Sequence, residues 1–282
     1  MSGSTAFVFV HGAWHSEATW RKLRPLLEAA GHKTFALDLP GAGANALEPS
    51  SLGASPFDGA AFATEPSPNA GVTQADRTAA VVALIEEAAA GGNKVVLVGH
   101  SLGGITISPV AEAVPRHIHA VVYLTAFMLA PTMVPVQMIM HDTMKAALVP
   151  RLFAADPAHV GALRLNTRSQ DPAYRAGMRA AFYGDVSDDD FAFIEKTLHC
   201  DEPAGVVMEP SQVTRERFGS LARHYIRCHQ DCAIVPEGQD FMIAAMDSAM
   251  GNTTVVHDMQ ASHSPFLSQP ETLAAILKEI AH

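Results

Sequence analysis

The segment 99–103 places a serine between two glycines in the pattern Gly-x-Ser-x-Gly. A β-branched run, residues 95–98, precedes this segment, and a helix-like run from Gly104 follows it. This is the pattern of a nucleophile elbow, in which a sharp turn between a strand and a helix exposes the serine hydroxyl. The glycines are needed there because larger residues would clash with the neighbouring strand and helix. We therefore predict that Ser101 is a catalytic nucleophile.

A serine hydroxyl needs a base that takes its proton and a carboxylate that orients the base. His263 follows the last predicted strand, whereas the alternative His257 falls within that strand. Asp231 lies between a strand and the helix that begins at Pro236, at the edge where open α/β sheets form crevices. The alternative acid, Asp258, lies within the last strand. We predict His263 as the base and Asp231 as its orienting acid.

A tetrahedral intermediate also needs two backbone N–H donors where its oxyanion develops. We expect one donor from Leu102, directly after the serine, and the other from Ala13 in the loop after the first strand. Gly12 in the same loop removes a side chain where a substrate approaches, although a tight turn would explain this glycine equally well.

These residues require a sheet that brings them to one edge. Short β-rich runs alternate with helix-like segments over the first 125 residues, which is typical of an α/β fold with a mostly parallel, doubly wound sheet. The predicted strands are 6–10, 33–37, 94–98, 120–124, 225–227 and 253–257. The predicted helices are 17–30, one that starts at the capping box of Thr73 and Asp76, 236–250 and 271–280.

Two stretches interrupt this alternation. Residues 42–71 are rich in Gly, Ala, Ser and Pro and are predicted to form a surface loop. Residues 126–218 favour a helical cap, inserted before the last strands into a single domain whose core comprises 1–125 and 219–282. Five methionines of the cap fall within 17 residues and either line a pocket or pack the cap onto the sheet. They are Met128, Met133, Met138, Met140 and Met144.

The composition excludes several classes of protein. The 282 residues are 48% hydrophobic and carry 19 Lys and Arg against 29 Asp and Glu, a net charge of −10. Such a chain is not disordered, and its acidic balance disfavours nucleic acid as a partner. Residues 1–5 lack the basic start of a signal peptide, and the longest nearly apolar stretch, 120–130, is too short to span a bilayer. We expect a cytoplasmic protein with no membrane partner.

The three cysteines, Cys200, Cys228 and Cys232, are an odd number without the spacing of a disulfide framework. His229 lies between two of them, but the C-x₃-C spacing fits no common zinc pattern. We expect structural cysteines, no metal and no cofactor.

The motifs together resemble the α/β-hydrolase group that contains plant methylesterases, hydroxynitrile lyases and their bacterial esterase relatives. The matching segments are 7–15, 38–41, 99–104, 231–239 and 262–263. The resemblance implies an α/β-hydrolase fold and the same Ser101, His263 and Asp231 triad. It also implies a pocket for the acyl or alcohol group, lined by Phe127, Met128, Ile234 and Leu267.

The resemblance also separates two activities. The lyases of this group carry a threonine at the position of Gly12 and a lysine directly after the catalytic histidine, where this chain has Ser264. We therefore predict a serine carboxylesterase that acts on small to medium hydrophobic esters. The alternatives are a hydroxynitrile lyase or other non-hydrolytic enzyme, or a receptor-like binding protein. Arg164 and Arg168 of the cap could serve a charged substrate, and the sequence leaves a homodimer open.

Overall fold

The computed structural model describes residues 5–282. Its strands are β1 (Thr5–Val10), β2 (Lys33–Ala36), β3 (Lys94–Ser101), β4 (Ile118–Ala126), β5 (Ala162–Arg164), β6 (Asp201–Pro203), β7 (Ala222–Cys228) and β8 (Val255–Met259). Six of them form one parallel sheet in the order β2-β1-β3-β4-β7-β8, and β5 pairs with β6 in an antiparallel sheet. The predicted α/β fold with a mostly parallel sheet is confirmed.

All six predicted strands are present in the central sheet, with their ends within three residues of the prediction. The largest difference at a C-terminal end is in β3, which was predicted to stop at Val98. The elbow pattern predicts a turn directly after that strand, but the ladder between β3 and β4 continues to the pair Ser101 and Ala126. The predicted nucleophile therefore stands at the very end of its strand.

The helices are α1 (Leu23–Ala29), α2 (Gly59–Thr64), α3 (Gln74–Ala89), α4 (Gly103–Ala113), α5 (Pro135–Ile139), α6 (Pro157–Val160), α7 (Pro172–Phe182), α8 (Asp188–Ile194), α9 (Pro236–Met250), α10 (Pro265–Ser268) and α11 (Pro270–Ile280). Because side chains alternate along a strand, β1 directs Phe7 toward one layer and Val8 toward the other. The layer with Phe7 contains α1 and α11, and the layer with Val8 contains α3, α4 and α9. Both faces of the sheet are covered, as a parallel sheet requires.

The predicted helix 17–30 is wrong as one element. It is a 3₁₀ helix, Glu17–Trp20, followed by α1. Pro25 explains the break, because in a continuous helix its ring would clash with the carbonyl of Arg21. The capping box is confirmed at the start of α3: Thr73 Oγ1 accepts from Asp76 N (3.2 Å), and the Asp76 carboxylate accepts from Thr73 N (2.9 Å).

Residues 42–71 are more ordered than a surface loop. They include two 3₁₀ helices and α2. The fully buried guanidinium of Arg164 donates to the carbonyl oxygens of Phe62 and Glu65 and pairs with Asp201 (2.6 Å). Hydrogen bonds from Arg164 therefore connect residues 42–71 to the two-stranded sheet of β5 and β6.

The segment between β4 and β7 contains α5 to α8, as the prediction of a mainly helical cap expected. It also contains β5 and β6, which have three residues each and were not predicted because such short strands show no periodicity. Nothing in the described fold tests the limits proposed for the core and the cap. Within residues 5–282, no helix combines the length and apolar character needed to cross a membrane.

Candidate active site

Ser101 ends β3 and precedes α4 with a φ angle of 53°, in the left-handed region that serine rarely adopts. The glycines on either side leave no room for a side chain. A Cβ atom at Gly99 would lie 2.7 Å from Ile107 Cδ1, and one at Gly103 would lie 2.6 Å from the carbonyl oxygen of His11. Glycine at both positions therefore lets the chain make this turn without displacing the Ile107 side chain or the backbone after β1.

The Asp231 carboxylate and the His263 ring form a buried pair, with 2.7 Å between Oδ2 and Nδ1. The other carboxylate oxygen accepts from the backbone amides of Ala233 (2.6 Å) and Ile234 (2.9 Å). Because an ionised carboxylate only accepts, Nδ1 of His263 must carry the proton. In the neutral form of this ring, Nε2 is the free nitrogen that can act as a base.

Neighbouring strands place these groups at one edge of the sheet. Ser101 ends β3, Asp231 follows β7, and His263 follows β8. Two backbone hydrogen bonds tie the last two loops together, from His229 N to Met259 O and from Gln230 N to Ala261 O, both 3.0 Å. The acid and the imidazole are therefore held in register by the chain itself.

Thr125 is a site residue that sequence reasoning missed. Its hydroxyl donates to Oδ2 of Asp231, the same oxygen that faces His263. Thr125 lies near the end of β4, is fully buried and has a φ angle of 35°. The signal was present in the sequence, since a polar residue at the carboxyl end of a strand between β3 and β7 points to the same edge.

The two alternative residues lie elsewhere. Asp258 lies within β8, is half exposed, and accepts from Arg227 Nε and pairs with His229, both at 2.8 Å. His257, in the same strand, shares a 3.0 Å hydrogen bond with His224. Within residues 5–282, neither Asp258 nor His257 forms a hydrogen bond or an ion pair with Asp231 or His263.

His100 links the elbow to the histidine loop. Its Nε2 donates to the carbonyl oxygen of His263 (2.9 Å), and the two rings lie 4.6 Å apart between centroids. Burial, and then the neighbouring His263, hold the pKa of His100 well below its usual value, so the ring is neutral. The residue directly before Ser101 therefore anchors the loop that carries His263.

A narrow cavity of about 40 Å³ opens at Ser101. Ala13, Leu102, Phe127 and Ile234, all predicted site residues, contribute to its walls. None of the residues that line it carries a charge. The volume corresponds to roughly three water molecules, so a larger ligand must displace side chains of the wall.

Two predicted pocket residues, Met128 and Leu267, lie outside the lining of this cavity. Met128 is fully buried in the layer of α4 and α9, because it follows Phe127 and points to the opposite side of the chain. Leu267 lies in α10 and packs into the core, where its carbonyl oxygen accepts from Lys22 Nζ (3.2 Å). Gly12 lies behind the serine: a Cβ atom there would be 2.7 Å from Ser101 Cβ.

The methionine-rich stretch serves mainly for packing. Met144 lines the cavity, and Met138 is buried in the same hydrophobic core. Met133 is only partly buried against that core, and Met140 is 72% exposed. The pocket interpretation therefore holds for one of these side chains.

The two cap arginines are already paired. Arg164 binds Asp201 through Nε and one terminal nitrogen, at 2.6 and 2.7 Å. Arg168 binds both carboxylate oxygens of Glu48 at the surface. Neither lines the cavity at Ser101.

Comparisons with known proteins agree with this architecture. The model of the alpha/beta hydrolase family matches residues 7–276. Salicylic acid-binding protein 2 of Nicotiana tabacum is 32% identical, with 98% of this chain and 96% of that protein covered. Methyl jasmonate esterase 1 of Vitis vinifera is 28% identical, covering 97% and 95%, and alpha-hydroxynitrile lyase of Arabidopsis thaliana is 28% identical, covering 98% and 96%.

Among solved structures, a pyrethroid hydrolase from Sphingobium faniae JZ-2 superposes with a TM-score of 0.76 at 24% identity, covering 99% of this chain and 97% of that chain. Polyneuridine aldehyde esterase superposes with a TM-score of 0.72 at 24% identity, covering 99% and 100%. This likeness shows the fold. The chain belongs to the alpha/beta hydrolase family.

Proposed function

We propose that this chain is a serine carboxylesterase that cleaves small, uncharged hydrophobic esters through an acyl-enzyme on Ser101. Its esterase and methylesterase relatives make it an ester-hydrolysing enzyme. One observation carries the proposed mechanism: the buried pair of Asp231 and His263 follows β7 and β8 at the same edge of the sheet where Ser101, with its positive φ angle, ends β3 and lines an apolar cavity.

In this mechanism, Oγ of Ser101 attacks the ester carbonyl carbon while Nε2 of His263 takes the hydroxyl proton. The Asp231 carboxylate stabilises the imidazolium ion that forms. His263 then gives its proton to the departing alcohol, and the acyl group stays on the serine. A water molecule, deprotonated by the same Nε2, attacks the acyl-enzyme and releases the acid.

The backbone amides of Ala13 and Leu102 are the proposed donors to the oxyanion. Both residues line the cavity with Ser101. Within residues 5–282, neither amide donates a hydrogen bond to another group of the chain. Two free donors beside a nucleophile are what a developing alkoxide requires.

The walls of the cavity support an uncharged, apolar substrate. They hold no charged side chain, and the two arginines that could have received a carboxylate are paired elsewhere. Burying an unpaired charge in such a cavity would be costly. The acyl or alcohol group that enters it is therefore hydrophobic.

Two features favour hydrolysis over cyanohydrin cleavage. A threonine in place of Gly12, as in the resembling lyases, would bring its Cβ to 2.7 Å from Ser101 Cβ. Ser264, at the position of their lysine, is fully buried and uncharged. The site therefore lacks the cation that would stabilise a departing cyanide ion.

The test is hydrolysis of p-nitrophenyl esters, from acetate to decanoate, by the wild type and Ser101→Ala. We expect turnover by the wild type only, with the chain-length optimum reporting the size of the cavity. Ser220→Ala, which changes an exposed serine, is the matched control and should be fully active. Full activity of Ser101→Ala would disprove the mechanism. Release of cyanide from mandelonitrile, or tight ligand binding without turnover, would favour the lyase or the receptor.

A further inference from the structure

The loop after β1, residues 11–16, contains the proposed oxyanion donor Ala13. The N–H of Ala13 belongs to the same peptide unit as the carbonyl of Gly12. That carbonyl accepts from Nδ1 of His11 (2.8 Å), while Nε2 of the same ring accepts from Leu39 N (3.1 Å). The peptide unit between Gly12 and Ala13 is therefore held in place by His11, which belongs to the same loop.

The next peptide unit, between Ala13 and Trp14, is held in place by His15 and, through His15, by Tyr183, which is distant in the sequence. The Ala13 carbonyl accepts from Nδ1 of His15 (2.6 Å), and the hydroxyl of Tyr183 donates to Nε2 of that ring (2.7 Å). Nδ1 faces a carbonyl, which only accepts, so Nδ1 carries the proton and Nε2 is the acceptor. Tyr183 therefore supplies the hydrogen-bond donor that the unprotonated Nε2 needs, and so supports the tautomer of His15 that holds the Ala13 carbonyl.

The backbone here needs such support. Trp14 has a φ angle of 60°, a conformation that persists in a bulky residue only when its surroundings enforce it. Its amide donates to Oε2 of Glu202 (3.3 Å), its indole donates to the Leu163 carbonyl (2.8 Å), and its carbonyl accepts from His199 N (3.1 Å). All three partners belong to the segment between β4 and β7, as Tyr183 does.

The hydrogen bonds from Tyr183 to His15 and from His15 to the Ala13 carbonyl form a relay. Both rings of this relay are shielded from water. His15 and Tyr183 are at most 2% exposed. Burial lowers the pKa of His15 to about 3, despite its hydrogen bond to Ala13, and burial raises the pKa of Tyr183. The imidazole stays neutral and the phenol stays protonated across the pH range in which esterases work.

We propose that Tyr183 is a positioning residue for the oxyanion loop, acting through His15 on the peptide unit that follows Ala13. This inference rests on the proposed function of the loop. Tyr183 does not line the cavity, so it acts on the donor geometry and not on the substrate. The relay also makes the oxyanion donor depend on how the segment between β4 and β7 packs against the sheet.

The first test is Tyr183→Phe, which removes only the hydroxyl. We expect kcat to fall about tenfold with KM unchanged, because a misplaced donor weakens only the transition state. Tyr174→Phe is the matched control, since its hydroxyl lies in the same segment but donates to Leu152 O (2.7 Å) and accepts from Asn166 N (2.9 Å). An unchanged kcat in Tyr183→Phe would overturn the proposal.

A second readout separates positioning from general damage to the site. The affinity for phenylboronic acid, which forms a tetrahedral adduct on the serine, should fall in parallel with kcat/KM. The pH dependence of kcat/KM should keep its position, because the relay does not contact His263. A shifted pH profile in Tyr183→Phe, with boronate affinity intact, would show that the variant disturbs the triad instead.

A third readout does not depend on esterase activity. In protein with ¹⁵N-labelled histidine, the nitrogen shifts of His15 should report a single tautomer with Nδ1 protonated, and Tyr183→Phe should move the Nε2 shift toward that of an imidazole nitrogen without a hydrogen-bond donor. An unchanged His15 spectrum would refute the relay even if the wild type were a good esterase. If the wild type hydrolysed no ester while the spectrum changed as expected, the proposed function would fail and the relay would stand.

Discussion

At the scale of single residues, the Asp231 carboxylate has both oxygens engaged. Oδ1 accepts from the amides of Ala233 and Ile234, and Oδ2 accepts from Thr125 and His263. Because two backbone amides donate to Oδ1, this oxygen must be an acceptor. The carboxylate therefore imposes one orientation and one tautomer on the histidine.

Asp231→Asn should reduce kcat by about 10⁴-fold, as loss of the triad aspartate does in a serine protease. The amide oxygen must stay at the two backbone donors, so the amide nitrogen faces His263 and forces the proton onto Nε2. Steady-state kinetics with a p-nitrophenyl ester measure the loss, and circular dichroism checks the fold. Asp258→Asn is the control and should change kcat less than twofold. The reverse ranking would make Asp258 the acid.

Thr125→Val should lower both turnover and stability. The variant keeps the shape and removes the one hydroxyl within residues 5–282 that donates to Oδ2, so we expect about 2 kcal/mol less free energy of unfolding in urea and roughly tenfold lower kcat. Thr167→Val is the control, because that threonine is also buried but its hydroxyl has no partner among the described residues. Equal effects of the two substitutions would argue against a role for Thr125.

At the scale of elements, the elbow depends on how closely α4 approaches β1. The Cβ of a residue at position 103 would lie 2.6 Å from His11 O and 2.8 Å from Val10 O. Backbone atoms of a central strand cannot move aside as a flexible side chain can. The contact between strand and helix therefore fixes the position of the serine.

Gly103→Ala should destabilise the protein by about 1–3 kcal/mol, the usual cost of overpacking. Urea unfolding measures the change. Gly53→Ala is the control, because no atom lies within 4 Å of its added Cβ and its φ is not positive. That variant should stay within about 0.5 kcal/mol of the wild type. Comparable losses in both would mean that the close approach is not what requires glycine.

The sequence predicted elements well where their signal is local. The central strands are long apolar runs, and the capping box at Thr73 marks the start of α3. Features that depend on distant pairing were not visible: β5 and β6 are joined by Arg164 and Asp201, which lie far apart in the chain. Likewise, the sequence indicated both members of the buried acid and imidazole pair but not Thr125, and the resemblance named Met128 as a pocket residue although its side chain lies outside the lining of the cavity at Ser101.

At the scale of the whole molecule, buried ionisable groups link folding to pH. Burial holds the pKa of His11 at about 4 and that of His15 at about 3, whereas a histidine in an unfolded chain titrates near 6.5. Glu202 is fully buried, and despite that burial the charge of Arg77 holds its pKa at about 2. The folded protein therefore binds fewer protons than the unfolded chain throughout mildly acidic conditions.

Stability should fall as the pH drops below 6.5, because the unfolded chain binds protons that the buried histidines of the folded protein do not bind. At pH 5.5 His11 and His15 each contribute a loss of about 1.4 kcal/mol, so the total loss should be at least roughly 3 kcal/mol, and His100 acts in the same direction. Glu202 adds to the loss only below its unfolded value near pH 4.5. Urea unfolding at pH 7.5 and 5.5 measures the difference, which should persist in 0.5 M salt because surface repulsion is then screened. Equal stability at the two pH values would contradict this account.

The narrow cavity has a consequence for how substrates are distinguished. One side of it is the rigid elbow at Ser101, and the other side includes the more adaptable side chains of Met144, Phe153 and Phe182. An acyl or alcohol group larger than this cavity of about 40 Å³ enters it only when these side chains change rotamer. We therefore expect selectivity among esters to be partly kinetic, set by how quickly the wall rearranges for each shape as well as by how tightly the final complex fits.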